Sequence, residues 1–494
     1  MALFQSISTH FVEFLVTPDQ KKFKLANQIF MALLFFGGIA VWGLFLYCPQ
    51  NTCNYHDWLD IIAPRLNFLK ESVTVGAWPL HASTPMKLGV FYTQRYLAIP
   101  DAFVSPQFLL LRFLNVYQFI VFEMVLFYTL GFWGLRRIGQ KLGFSNLVFT
   151  FVFILFNFNG HIVAHISVGH FTWVAYFLFP WFALLVFQLI DGQSGWRWIA
   201  KMASLLFFTL LQGGYHHFVW MLFFLGFLAI FIPRHFFTIL KTAVFSVLLG
   251  MFRFLPLLAL YNSLNDNQFM GGYPDLQSIL ENMVIIRQGG VEIPINNLTL
   301  PLGTWEMTAY VGVIGAFFIL FFGLIYPIYK SNPEYPYRVL LFPTIGLLML
   351  SFDRVFHLLF TRIPLPIFTG ERVVTRILGL VLVFVLIQAG SEFQHWLNHH
   401  TLSRFSMLSI LSLAVVAGHD LARNFREWML LVASHYFPGE AKIEPIWLVD
   451  NNYTDQPYLN LILIGSAVML VSYSVLIALL WWERKQDRKT KTAP

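Results

Sequence analysis

Apolar runs alternate with polar connections along the whole chain, and most of these runs are long enough to cross a lipid bilayer. A transmembrane helix needs about 20 predominantly apolar residues. The pattern predicts about twelve such helices, placed at residues 28–47, 108–134, 146–160, 172–190, 202–215, 217–233, 242–262, 308–328, 337–351, 373–390, 405–418 and 459–482. We therefore expect an all-α fold, a polytopic bundle of transmembrane helices in a lipid bilayer.

The composition supports embedding in a membrane. The chain has 494 residues, of which 57% are hydrophobic, 18% aromatic and 12% charged, whereas a soluble domain carries about 25% charged residues. The formal net charge of +7 raises the question of nucleic-acid binding, which would require a basic stripe or patch. The basic residues are instead spread among short connections, so we expect no nucleic-acid partner.

Lysine and arginine favour the cytoplasmic ends of membrane spans. They cluster before the first predicted span, in alternate connections and after the last span, at Lys21, Lys22, Lys24, Arg136, Arg137, Lys141, Arg197, Lys201, Arg234, Lys241, Lys330, Arg338, Arg484, Lys485, Arg488, Lys489 and Lys491. This distribution predicts two cytoplasmic termini. It divides the chain into an amphipathic lead-in (1–27), a transmembrane domain (28–483) and a basic cytoplasmic tail (484–494).

The connections on the opposite side are long and chemically rich. They span residues 48–107, 161–171, 263–307, 352–372 and 419–458, and with the turn at residues 216–217 they hold most of the acids and ten of the 15 histidines. Long ordered loops usually carry function, so the extracytoplasmic face is the predicted working face. Cys48 and Cys53 also fall on this side, where an oxidising compartment would allow a disulfide. Two free thiols are the alternative.

The first external loop begins with an acidic segment. Asp57 is a suitable helix N-cap, and Asp60 follows three residues later, as in a capping box. The apolar face beyond them predicts a helix lying along the membrane surface. In the alternative interpretation, Asp57 or Asp60 is a general base at the membrane boundary, with His56 close enough to tune it.

Several histidines follow the third and fifth predicted spans. His161 and His165 have the i,i+4 spacing that places two ring nitrogens on one helix face and suits zinc. No carboxylate or cysteine lies nearby in the sequence to complete a metal site, so we expect none, although a divalent cation remains possible as a cofactor. These histidines, with His170, His216 and His217, are instead predicted to line a substrate groove or to hydrogen-bond helix ends.

A late external segment carries a pair of arginines. Arg372 and Arg376 are four residues apart at the start of a predicted span, and arginine binds phosphate through two parallel hydrogen bonds. Snorkelling towards lipid head groups is the alternative. Glu371 and Glu306 are predicted to line the same groove. Glu123 and Arg253 lie within spans, where charges are costly. One hypothesis is that they pair with each other, and the alternative for Arg253 is a role in binding a lipid phosphate.

The architecture resembles the GT-C glycosyltransferases over nearly the whole chain. The resemblance is carried by the first span, the large external loop with its acidic residue and surface helix, and the many spans that follow. The chain is most similar to the bacterial YfhO-like group in its His- and Gly-containing exit from the third span, Gly160-His161, and its late Arg-containing loop. Many GT-C members carry an Asp-Asp or Asp-Glu pair where this chain has His56-Asp57 and then Asp60.

This resemblance implies a specific activity. The protein would be a transferase of the bacterial cell membrane that moves a sugar from a polyprenyl-phosphate donor to an extracytoplasmic acceptor, inverting the anomeric carbon. Asp57 is preferred to Asp60 as the base. Basic side chains would hold the donor phosphate, namely Arg65, Lys87, Arg95, Arg372 and Arg376. The alternatives are a transporter or flippase for a lipid or anionic solute, and a non-catalytic scaffold in a membrane complex.

Overall fold

Helices make up most of the fold. The computed structural model describes residues 10–18, 22–49, 55–88, 91–260, 269–287, 292–293, 302–330, 335–363, 370–400, 402–436, 448–450 and 454–492. Its α-helices, numbered from the first that lies wholly within these ranges, are α1 Lys24–Leu46, α2 Ala63–Val75, α3 Val116–Leu142, α4 Asn146–Phe158, α5 Gly160–Ser167, α6 Phe179–Ile190, α7 Trp196–Leu211, α8 Tyr215–Phe231, α9 Phe236–Leu257, α10 Leu276–Val284, α11 Thr304–Met307, α12 Gly312–Leu320, α13 Tyr326–Tyr329, α14 Leu341–Met349, α15 Asp353–Arg362, α16 Leu378–His399, α17 Arg404–Trp428, α18 Leu430–Tyr436 and α19 Gln456–Thr492.

Within the described residues, nine helical stretches are long and apolar enough to cross a membrane. They are Lys24–Leu46, Val116–Leu142, Asn146–Ser167, Phe171–Ile190, Pro233–Leu257, Thr304–Tyr329, Val374–His399, Phe405–Trp428 and Gln456–Arg488. Each overlaps a predicted span, so the prediction of a multi-pass helical membrane protein is confirmed. The other three predicted spans overlap α7, α8 and α14, which are shorter, and the count of twelve stays a prediction.

The apolar stretches differ in how much protein surrounds them. The most apolar window of Val374–His399 is 94% buried inside the protein, whereas those of Phe405–Trp428 and Gln456–Arg488 are only 17% and 22% buried. A helix that is apolar on all sides but buried on few must meet another apolar medium. The exposed faces of these outer helices are therefore suited to lipid, and Val374–His399 forms the centre of the bundle.

Small strands interrupt the otherwise helical architecture. β1 (His81–Leu88) pairs antiparallel with β2 (Phe91–Arg95) in the first predicted external loop. β3 (Glu292–Ile293) pairs with β4 (Leu302–Gly303) in a second small hairpin. A helix, α2, lies in the first loop, while its placement along the membrane surface stays a prediction. The sequence pattern gave no indication of the β1–β2 hairpin.

Connections predicted on the external side contact one another. The backbone of Ser83 donates to the carbonyl of Leu448 (2.7 Å), joining the first and last external loops. Tyr273 and Phe352 form a parallel bridge between the third and fourth. The backbone N–H of Asp57 donates to the carbonyl of Val168 (3.2 Å), joining the first and second. The ring of His56 packs against Trp305 (4.6 Å), which joins the first to the third. All five loops are therefore linked at one end of the bundle.

Connections predicted on the cytoplasmic side also contact one another. Lys141 and Tyr337 both bond the carboxylate of Asp191, at 2.6 and 2.7 Å. Glu483, near the end of the chain, accepts the backbone N–H groups of Trp196 and Arg197, both at 2.9 Å. A carboxylate at this position satisfies free donors at the N-terminus of α7. The two sets of connections therefore lie at opposite ends of the same bundle.

The predicted pairing of Glu123 with Arg253 is wrong. Arg253 donates to three backbone carbonyls, including Ile99 at 2.8 Å. Glu123 accepts from the side-chain amides of Gln212 (2.9 Å) and Gln107 (3.3 Å). Each buried group is bonded by neutral polar neighbours, although Oε1 of Glu123 and Nε of Arg253 have no hydrogen-bond partner among the described residues. The apolar pattern of the spans gave no means of choosing these neighbours.

The close crossing of α19 on α9 depends on Gly465, because a Cβ there would lie 2.5 Å from the Met251 carbonyl oxygen. We expect Gly465→Ala to destabilise the protein by about 1–3 kcal/mol through overpacking, measured by thermal unfolding in detergent. Gly226→Ala is the matched control, since a Cβ there meets nothing within 4 Å and alanine favours helix by about 1 kcal/mol. Equal melting temperatures for the two variants would contradict this packing.

Candidate functional site

The segment that carries Asp57 is fastened to the end of α5. The Tyr55 hydroxyl donates to the Ser167 carbonyl (2.6 Å), and the Trp58 indole donates to the same oxygen (2.9 Å). The backbone of His56 has a φ of 47°, in the left-handed region that non-glycine residues rarely adopt. These contacts fix where the Asp57 side chain points.

The side chain of Asp57 is not a helix cap. It makes no capping hydrogen bond, and a π-helical turn, Trp58–Ile62, follows it. Its Oδ2 atom lies 3.2 Å from Nε2 of His170, and its Oδ1 atom lies 3.4 Å from Nδ1 of His56. The predicted capping box is therefore wrong, and Asp57 contacts two imidazoles instead. Its role as a general base stays a prediction.

Two histidines extend the contact from Asp57 into the protein. Nδ1 of His170 lies 2.7 Å from Nδ1 of His165. The His165 ring stacks on Trp173, with centroids 3.6 Å apart and planes 11° from parallel. His161 and His217 also contact Trp173, each with a centroid distance of 5.0 Å. The groove histidines predicted from the sequence thus gather around one tryptophan.

A buried ion pair closes the other side of this cluster. The Arg376 guanidinium donates to both carboxylate oxygens of Glu306, through Nε at 2.7 Å and through Nη2. The same guanidinium lies 6.0 Å from the centroid of the Trp173 ring. A bidentate pair of this kind fixes both side chains. Arg376 is consequently engaged by Glu306, although the sequence assigned it to phosphate.

Arg372 differs from Arg376 in its surroundings. It makes no ion pair with a carboxylate among the described residues, and its one hydrogen bond there runs from Nη2 to the sulfur of Met270 (2.9 Å). Its Nε atom is buried and has no hydrogen-bond partner in the part of the chain that the structure describes. Burial, followed by the charge of Arg376, lowers the pKa of Arg372 from its ordinary value. An anion would satisfy this half-buried cation.

Glu371, next in the chain, belongs to a neighbouring group. Its carboxylate is fully buried and lies 2.9 Å from Nδ1 of His216, and it accepts the indole N–H of Trp220 at 3.2 Å. The charge of Glu371 also acts on Arg376. Residues 371–376 therefore join the groups around His216 and around Trp173.

Burial alone would raise the pKa of Asp57, but its surroundings reverse that effect. The hydrogen bond from His170 and the charges of His170, His56 and Arg376 together hold this pKa below its ordinary value. This lowered pKa favours the carboxylate form of Asp57. Asp57 contacts His170, a ligand atom of His170 lies within 4.8 Å of one on Glu306, and Glu306 bonds Arg376. The first external loop and the 370–376 segment therefore meet in one cluster.

Two of the basic residues predicted to bind phosphate are engaged elsewhere. Arg65 is buried and lies 3.0 Å from Oδ2 of Asp101. Arg95 donates to the carboxylate of Asp455 and to the carbonyl of Ala259 (3.0 Å). Each of the two arginines joins separate parts of the fold. This structural role accounts for both side chains without a bound ligand.

The remaining predicted site residues lie nearby or outside the described side chains. Asp60 lies half-buried in the π-helical turn after Asp57. Lys87 lies on β1, opposite Tyr92, and its side chain is outside the description. Cys48 is disulfide-bonded, while Cys53 lies outside the described residues.

The sequence gave little sign of the aromatic part of the site. Trp173 was not singled out, yet it contacts five charged or imidazole side chains among the described residues. Trp305 packs edge-on against His56 (4.6 Å). Asp101, the partner of Arg65, was also missed. Two clues were available: Trp173 follows His170 by three residues, and Asp101 is an acid in the first external loop.

We found no match for this chain among protein-family models, curated proteins or solved structures.

Gly169 lets the Asp57 segment approach α5. Its φ is +97°, and a Cβ there would lie 2.4 Å from the backbone nitrogen of Trp58. We expect Gly169→Ala to cost about 2–4 kcal/mol from left-handed strain plus overpacking, measured by thermal unfolding. Gly76→Ala is the matched control, because Gly76 has a φ of +73° with open space around it, and strain alone costs about 1–2 kcal/mol. An equal effect of both substitutions would rule out the contact.

The Arg65–Asp101 pair makes stability depend on pH. Burial alone would raise the pKa of Asp101, but the charge and hydrogen bond of Arg65 lower it. A lowered pKa in the folded state gives stability that is present above the ordinary value, about 3.9, and is lost as the pH falls through the lowered value. We expect Asp101→Asn to be less stable than wild type at neutral pH, and the difference to shrink below about pH 4.

This comparison is made by thermal unfolding in detergent at several pH values. The charge of His216 also acts on Asp101, so both proteins are compared again with His216→Gln. If the difference in stability between the two proteins stays constant down to the acid range, the stabilising effect of the Arg65–Asp101 pair does not require an ionised Asp101 carboxylate.

Proposed function

We propose that this protein is a membrane glycosyltransferase that moves a sugar from a polyprenyl-phosphate donor to a hydroxyl acceptor. The observation that carries the proposal is the meeting of Asp57 with the segment that bears Arg372 and Arg376. This transfer needs an acid that accepts a proton and a cation that accepts a phosphate. The resemblance to GT-C glycosyltransferases, which rests on architecture, supports the same reaction.

Asp57 is the proposed general base. It removes the proton from the acceptor hydroxyl as that oxygen attacks the anomeric carbon, and the bond from this carbon to the phosphate oxygen breaks. A single displacement of this kind inverts the anomeric configuration. The contacts from Tyr55 and Trp58 to residues 166–167 hold the Asp57 segment in place, which supports the role because a base must be positioned before its pKa matters.

Arg372 is the proposed phosphate ligand. The leaving polyprenyl phosphate changes from a diester to a monoester and gains negative charge, which a nearby guanidinium stabilises. Arg372 has an unsatisfied Nε atom and no carboxylate partner among the residues described. Arg376, neutralised by Glu306, contributes mainly by holding the segment in place.

The proposed reaction takes place on the extracytoplasmic face of a cell membrane, with both termini in the cytoplasm. This orientation follows from the lysines and arginines at the opposite end of the bundle. The lipid tail of the donor would lie along the apolar helices, and its sugar would reach the end at which the long connections meet. The acceptor is a hydroxyl of a glycan, lipid or protein.

The test places the purified protein in lipid membranes. Radiolabelled polyprenyl-phosphate hexoses are added as donors, and a crude extracytoplasmic glycan fraction is added as the acceptor. We expect Asp57→Asn to lower label transfer by about 10²–10⁴-fold, the usual contribution of a general base. Asp60→Asn is the matched control, three residues away in the same turn. Both variants are checked for melting temperature and membrane level.

The outcomes separate the competing functions. Loss of transfer in Asp60→Asn but not in Asp57→Asn would move the base to Asp60. Transfer that survives both substitutions would overturn the catalytic role of this loop. A donor that changes leaflet with its sugar still attached would indicate a flippase, and neither transfer nor movement with any donor would favour a scaffold.

A further inference from the structure

The cluster around Trp173 contains a group of side chains with the composition of a metal site. His165, His170 and Glu306 each offer one ring nitrogen or carboxylate oxygen, and these atoms all lie within 4.8 Å of one another. His165 and Glu306 are buried. In the sequence Glu306 follows these histidines by more than 130 residues, so a search for a local spacing does not find this set.

The contact between the two histidines requires an unprotonated nitrogen. Because their Nδ1 atoms are 2.7 Å apart, only one of them can carry a hydrogen. Asp57 faces Nε2 of His170 at 3.2 Å, so the carboxylate favours a proton on Nε2 of this ring. A neutral His170 then presents a lone pair on Nδ1 towards His165, as a metal ligand would.

His165 supplies a second, independent observation. Its ring is fully buried, and its Nε2 atom has no hydrogen-bond partner among the described residues. Because the contact with His170 engages Nδ1, Nε2 stays unsatisfied whichever ring nitrogen carries the hydrogen, and an unsatisfied buried polar atom is costly. A cation bound at Nε2 would satisfy this atom.

The surroundings provide the support that metal ligands need. A metal-bound histidine usually donates its other N–H to a carboxylate, which fixes the ring orientation, and Asp57 is placed to accept from His170 in this way. Arg376 holds Glu306 through two donors, yet each carboxylate oxygen keeps a further lone pair. Stacking on Trp173 fixes the plane of the His165 ring.

From this geometry we propose that His165, His170 and Glu306 bind a divalent transition-metal ion. Two imidazoles and one carboxylate suit Zn²⁺, whereas Mg²⁺ and Ca²⁺ prefer oxygen ligands. Bonds of about 2.0–2.2 Å place the ligands of a tetrahedral zinc ion about 3.4 Å apart, so side-chain shifts of about 1 Å close the site. Three protein ligands leave a position for water or for an anionic oxygen such as that of a phosphate.

The test measures metal content without any substrate. The full-length protein is purified in detergent, stripped with a chelator, incubated with Zn²⁺ alone and desalted, and its zinc is then measured by mass spectrometry. We expect about one zinc ion per wild-type chain. Retention of less than a tenth of an equivalent by the wild type would overturn the proposal.

Substitutions then assign the ligands. His165→Gln, His170→Gln and Glu306→Gln are each expected to lower zinc retention at least tenfold. His217→Gln is the matched control, since His217 is also buried and packs against Trp173, and its Nε2 atom has no hydrogen-bond partner among the described residues. Loss of zinc in the control together with retention in the three variants would overturn the assignment.

A second measurement covers variants that fold poorly. An ion that binds only the folded state raises the melting temperature of the wild type, so Zn²⁺ added to stripped wild-type protein should raise it, and Zn²⁺ added to His165→Gln should not. Cobalt(II) substitution gives a further readout, because histidine ligation of cobalt produces visible absorption that Glu306→Gln would alter. An unchanged melting temperature in the wild type with added Zn²⁺ would also contradict the proposal.

The metal site and the proposed transferase activity can fail separately. Metal binding is measured with no sugar donor present, and the Asp57→Asn activity test requires no knowledge of the metal. If the protein retains zinc but transfers no sugar, the metal site is supported and the proposed transferase function is contradicted.

Discussion

Charged groups that leave water must find partners, and this constraint organises the end of the bundle at which the long connections meet. Glu306 is buried and Arg376 is largely enclosed, and each is tolerated because the other bonds it through two contacts. Breaking such a pair costs about 3–5 kcal/mol, so the helices that carry the two residues are held in register. The other site groups are arranged around this pair.

Trp173 gives the cluster its shape. Imidazole rings and the Arg376 guanidinium lie around its indole ring, and Trp173, His161, His165 and His217 are all buried. In a low-dielectric environment the remaining polar contacts are stronger than in solution. The proposed base, the proposed phosphate ligand and the proposed metal ligands therefore share one environment, and a change in one is expected to alter the others.

The same cluster can be described by its unsatisfied atoms. Nε of Arg372 and Nε2 of His165 are both buried, and neither has a hydrogen-bond partner within the described ranges. The first atom belongs to a cation and the second to an imidazole ring. An anion satisfies the first and a cation the second. A phosphate oxygen bound to a metal ion would supply both charges, which links the further inference to the chemistry proposed for the site.

The sequence alone determined the membrane class, the helical architecture and the chemical richness of one set of connections, because these follow from the length of apolar runs and from composition. It also singled out Asp57, the histidines, Glu306 and Arg376 as candidates. Only the tertiary structure decided which of them meet: Arg65 pairs with Asp101, Arg253 with backbone carbonyls, and Glu306 with Arg376. Partner choice depends on contacts between residues far apart in the chain, and no local pattern encodes these.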